Sequence, residues 1–83
     1  MQCRIKVVTK NGKSYNGPIT EYTLGFSAKQ EVAFRNALSN VNDVVELTTD
    51  DENWWLIPVR EISVVHLAVW DDTVQLPLGD ANG

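Results

Sequence analysis

Few side chains in this sequence have the chemistry for catalysis, and their settings work against it. His66 is the single histidine and lies inside the apolar run Ser63-Val64-Val65-His66-Leu67-Ala68-Val69. A triad needs a nucleophile, a base and an orienting group together, and only His66 could be the base. A strand-borne imidazole among aliphatics reads more simply as a packed or rim histidine. Cys3 is the single cysteine, so an internal disulfide and a cysteine zinc site are excluded, and the residue reads as a small buried hydrophobe. The acids Asp50-Asp51-Glu52 and Asp71-Asp72 lack the alternating ligands and the glycine of a calcium loop, and read as solvated turns. Gly12 and Gly17 have turn and bend explanations, and no glycine-rich phosphate loop is present. No catalytic, metal or cofactor-binding residue is assigned, and the expectation is a protein that is not an enzyme.

What remains is the chemistry of contact. Three tryptophans fall between residues 54 and 70, and Trp54 and Trp55 are adjacent. On a strand, neighbours point to opposite faces, so only one of the two can enter a core. Exposed tryptophan is the usual anchor of an interface, and Trp54 is taken as that candidate. Net charge is −4 across 83 residues, unevenly placed: residues 1–20 carry Arg4, Lys6, Lys10 and Lys13 and no acid, while the remainder carries three bases against eleven acids. Such a layout allows the basic face of one copy to meet Glu46, Glu52 or Glu61 of the next, head to tail. The interaction candidates are therefore Arg4, Lys6, Lys10, Lys13, Trp54, Glu46, Glu52 and Glu61. The alternative is single-stranded nucleic acid, RNA in particular, held on the same basic strand face with Tyr15, Tyr22 or Trp54 as stacking platforms. The acidic total disfavours it, because phosphate binding leaves a strongly basic footprint. A third, weaker option is an accessory protein of a phage or mobile element that inhibits a host factor through its acidic surface.

These residues need elements to position them. Cys3, Ile5, Val7 and Thr9 alternate with Arg4, Lys6 and Val8, which is a strand with a basic outer face. Lys10-Asn11-Gly12-Lys13 follows, and Asn-Gly predicts a two-residue type I′ hairpin into a second strand over about 14–22, bent at Gly17-Pro18. Ser27-Ala28-Lys29-Gln30 matches a capping box and predicts the one helix, from Ser27 to about Asn40, with Phe34, Ala37, Leu38 and Val41 on its inner stripe and Val32 outside. Val44 to Thr49 is a third strand. Trp54 to Val59 and Ser63 to Val69 are two more, joined by a tight, 3₁₀-like turn through Val59 to Glu61 because Pro58 cannot continue a ladder. Val65, Leu67 and Val69 are taken as the buried face. Val74 to Leu76 adds a short edge strand.

The Asn-Gly hairpin flanked by lysines, the glycine-bent second strand and the passage Leu56-Ile57-Pro58-Val59-Arg60-Glu61-Ile62-Ser63-Val64-Val65 resemble SH3-like and Sm-like small β-barrels, where Ile-Pro-x-x-x-Ile joins the last two strands. The helix between the second and third strands departs from the Sm pattern, in which it precedes the barrel. No loop motif for uridine-rich RNA is matched, so that function is carried over to no residue. The resemblance implies a small barrel and ring formation through strand edges.

The expected fold class is thus α+β, mostly β: a strongly bent antiparallel sheet or SH3-like barrel of five to six strands with one inserted helix (ββαβββ). Residues 1–78 form one domain and 79–83 a flexible tail. At this size only ~60–65 % of the unfolded-chain surface is buried, which makes a homo-oligomer or a protein partner attractive. With no signal peptide, no apolar run long enough to span a membrane and one lone cysteine, a cytoplasmic protein is expected, with no membrane, cofactor or small-molecule partner.

Overall fold

The computed structural model describes residues 1–71. The strand expected at 74–76 and the tail at 79–83 lie outside the described residues. The chain runs β1 (Gln2–Thr9), β2 (Ser14–Asn16), β3 (Thr20–Glu21), α1 (Leu24–Leu38), β4 (Val44–Thr48), β5 (Trp54–Pro58), a 3₁₀ turn (Val59–Glu61) and β6 (Ile62–Trp70). This is a mostly-strand α+β arrangement with one helix and antiparallel pairing throughout.

β1 organises the larger sheet. On one side it pairs with β2 and then β3, and on the other with β6, from Gln2 opposite Trp70 to Val8 opposite Val64. The alternation read from the sequence decides its faces: Cys3, Ile5, Val7 and Thr9 are buried, and Arg4, Lys6 and Val8 lie on the partly open side. β4 and β5 form a separate two-stranded sheet, with Val45 opposite Ile57 and Leu47 opposite Trp55 on its inner face. Ile5, Val7 and Ile57 make the centre of the core, and Tyr15, Phe34, Leu47, Trp55, Ile62, Val65 and Leu67 pack around them.

The sheets do not close into a barrel, which corrects the stronger form of the expected fold. The cause lies at Gly17-Pro18. Gly17 donates its N–H back to Ile5 O at 2.7 Å, and proline has no N–H to offer. The second strand is therefore cut into pieces of three and two residues. A single backbone bond, Asp50 N to Asn16 O at 3.0 Å, stands in place of a ladder between β2 and the turn that follows β4.

Two local expectations are also corrected. The helix begins at Leu24, with Thr23 as its cap: the Thr23 backbone is extended (φ −137°, ψ 157°) and its hydroxyl accepts from the Phe26 amide at 3.0 Å. Ser27 donates to Thr23 O at 3.0 Å in the first helical bond, so it is inside the helix and the capping box is not used. The first hairpin turn has three residues rather than two. Gly12 N donates to Thr9 O and Thr9 N to Lys13 O, both at 2.9 Å, and in this turn only Gly12 has positive φ, 88°. That is a type I turn closed by a left-handed residue. Elsewhere the 3₁₀ turn at Val59–Glu61 lies where Pro58 placed it. Val65 and Leu67 face inward as expected, but Val69 is 40 % exposed.

The helix lies loosely on this framework. None of its residues is fully buried, although Phe34 reaches the core and Val32 points outward as expected. A hollow of about 290 Å³ remains between α1 and the larger sheet, lined by Ile5, Phe34, Leu38, Val65 and Leu67 among others.

Candidate interaction surfaces

The β4–β5 hairpin separates the two adjacent tryptophans. Trp55 points inward and packs on Tyr15, with ring centroids 5.1 Å apart and planes tilted by 60°. Trp54 points outward and is 62 % exposed. The cross-strand register places Val44 opposite Pro58, Glu46 opposite Leu56 and Thr48 opposite Trp54, and all six of these side chains are exposed. The outer face of the hairpin is thus an apolar strip of Val44, Pro58, Leu56 and Trp54 with one carboxylate, Glu46, on it.

The basic residues do not form one free pole. The Arg4 side chain folds back along its own sheet, donating to Gly17 O at 3.2 Å and pairing with Asp50 at 2.6 Å. Lys6 lies between Asn16 on β2 and His66 on β6. Lys10 is in the first turn, with its amide on the Glu61 carbonyl. Lys13 leans over two rings, its Nζ 5.2 Å from the Tyr15 centroid and 4.9 Å from that of Trp55. Of the acids, Glu46 is on the apolar strip, Glu52 is in the β4–β5 turn and Glu61 ends the 3₁₀ turn. Bases and acids are interleaved along the hairpin ends, and Tyr15, half-buried under Lys13, does not present a free stacking face.

The two hairpin turns are built alike, which was not read from the sequence. In the first, the Thr9 hydroxyl donates to Asn11 Oδ1, and Asn11 Oδ1 also receives the Lys13 amide at 3.2 Å. In the second, the Thr49 hydroxyl donates to Asp51 Oδ1, which receives the Asn53 amide at 3.3 Å. Glu52, at φ 67°, takes the position of Gly12. The available signal was Thr-x-Asn-Gly at 9–12 against Thr-x-Asp-Glu at 49–52. The hydroxyl of Thr49 and the Asn53 backbone amide hold the Asp51 carboxyl below its ordinary pKa. At Cys3, burial pushes the thiol up, against the pull of the N-terminal ammonium.

Between the turns lies a small concavity of about 280 Å³ lined by Lys13, Ser14, Tyr15, Asn16, Thr49, Asp50, Asp51 and Trp55. Among the described residues no cluster of three His, Cys, Asp or Glu side chains has the spacing of a metal site, and no helix is long and apolar enough to cross a membrane. Comparison with known protein families, with curated proteins and with solved structures finds no match for this chain.

Proposed function

We propose that this protein is a non-enzymatic interaction module that self-associates through the outer face of the β4–β5 hairpin. The observation that carries the proposal is the exposure of Trp54, Leu56 and Val44 on one side of a two-stranded sheet whose other side is the core. Contiguous exposed apolar side chains on a small domain mark a contact surface.

A second copy is the occupant that this face fits. Trp54 stands at one end of the strip and the Val44–Pro58 pair at the other. A twofold axis across the hairpin therefore seats each Trp54 on the partner's Val44–Pro58 end, which is the self-complementarity an isologous contact requires. The monomer also has reason to bury more surface, since the described core has six buried hydrophobic residues and the helix contributes none of them. Glu46 sets the strength of the contact, because an ionised carboxylate loses hydration when the strip is covered.

Sedimentation equilibrium of the wild type, Trp54→Ala and Glu46→Gln at neutral pH is the test. A wild-type dimer that Trp54→Ala dissociates, and that Glu46→Gln tightens, supports the proposal. A wild type that remains monomeric up to about 1 mM rejects the second copy as occupant, because dissociation constants above that value correspond to less than about 4 kcal/mol of association.

A further inference from the structure

The ring pair under Lys13 is a separate feature, on the opposite side of β5 from Trp54. Its two rings belong to different hairpins, Tyr15 following the first turn and Trp55 the second. They meet at 5.1 Å, and one ammonium group lies within about 5 Å of both centroids. That distance is the working range of a cation over an aromatic face. Lys13 makes no ion pair among the described residues; Asp50, on the same concavity, is paired with Arg4 instead. Asp51 completes the wall, its carboxyl held below its ordinary pKa by the bonds it accepts from Thr49 and Asn53.

Rings and carboxylate both favour a positively charged guest with N–H or polarised C–H groups. The chain's own cation occupies the rings from an exposed position at the end of a turn, tethered by a flexible four-carbon stem. We infer that the concavity formed by Tyr15, Trp55, Asp51 and Asn16 is a binding site for an organic ammonium group, and that Lys13 is its intramolecular placeholder. The group comes either as a free small ammonium ion or as a lysine or methylated lysine side chain of a partner. The guest displaces Lys13 into solvent, where a lysine side chain is well hydrated, so exchange requires no rearrangement of the backbone. Trp54 and the outer strip take no part in it.

The test is a titration of uniformly labelled protein followed through the Trp55 indole N–H resonance. Probes are tetramethylammonium chloride, sodium chloride at equal ionic strength, and two short peptides that differ only in carrying lysine or trimethyllysine. Lys13→Ala is expected to bind tetramethylammonium saturably and at least about five-fold more tightly than the wild type, because a contact worth about 1 kcal/mol no longer competes. Adding Tyr15→Leu is expected to abolish the response, whereas adding Trp54→Ala leaves it unchanged, which separates this site from the self-association face. Lys13→Met keeps the stem without the charge and controls for loss of packing. A peptide that binds more tightly than the free ion assigns the site to a partner side chain, and equal binding assigns it to a small ammonium ion. A Trp55 signal in Lys13→Ala that responds to tetramethylammonium no more than to sodium overturns the inference, and so does equal affinity in wild type and Lys13→Ala.

Discussion

Glu52 stands in the second hairpin turn where Gly12 stands in the first, both in the left-handed region, at φ 67° and 88°. Only glycine takes that conformation without crowding its own Cβ. Glu52→Gly is therefore expected to stabilise the protein by about 1 kcal/mol, and Gly12→Ala to destabilise it by a similar amount. Nothing lies within 4 Å of a Cβ built on Gly12, so its cost is one of backbone conformation alone. Urea denaturation of the two variants checks both signs.

Trp54 and Trp55 predict opposite outcomes for the same substitution. Trp55→Ala removes a ring packed on Tyr15 and on the core, and is expected to cost about 2–3 kcal/mol, somewhat below a fully buried tryptophan. Trp54→Ala is expected to shift monomer stability by less than about 1 kcal/mol, as for other exposed positions. Denaturation at a protein concentration low enough to keep the chain monomeric compares them.

Asp51 gives a prediction in pH. Its carboxyl is held below the ordinary value by the Thr49 hydroxyl and then by the Asn53 amide. The resulting stabilisation is present above the unfolded-state pKa, about 4, and is lost as pH falls through the lower folded value. Asp51→Asn keeps the acceptor that Asn11 provides in the other turn but carries no charge. Melting temperatures of wild type and Asp51→Asn are expected to differ at pH 7 and to converge as pH falls below about 4.

Cys3 gives the converse at alkaline pH. Burial raises its thiol pKa, so the native state holds the proton more firmly than the unfolded chain. The stability this contributes is complete below the unfolded pKa of about 8.5 and falls as pH rises toward the folded value. Wild type is expected to lose stability more steeply than Cys3→Ala between about pH 8 and 10, and a thiol reagent is expected to reach Cys3 only as the protein unfolds.

The parts of the fold legible in the sequence were those governed by neighbours in the chain. Alternation from Cys3 to Thr9 sets which side of β1 is buried, and Pro58 sets the 3₁₀ turn, because period and ring chemistry are local. The true helix start at Thr23 was obscured by Gly25, a poor helix former inside the first turn, and by the better-looking Ser27 cap. Adjacency showed that Trp54 and Trp55 must part, but which one turns inward depends on Leu47 and Tyr15, distant in sequence. The interaction candidates were legible as types and not as a constellation. Arg4 spends its charge on Asp50, 46 residues away, and Lys13 meets Trp55 only because two turns of similar build bring their hairpins together.

The pairing of Gln2 with Trp70 has a consequence for the order of assembly. β1 touches every other strand of its sheet, yet its longest partner is the last strand described. On a ribosome the first hairpin can form early, but the other edge of β1 stays unsatisfied until residue 70 has emerged. Until then a nascent chain carries β1 with one edge open, and closing the long loop between β1 and β6 is expected to weigh more on its folding rate than the local contacts of α1.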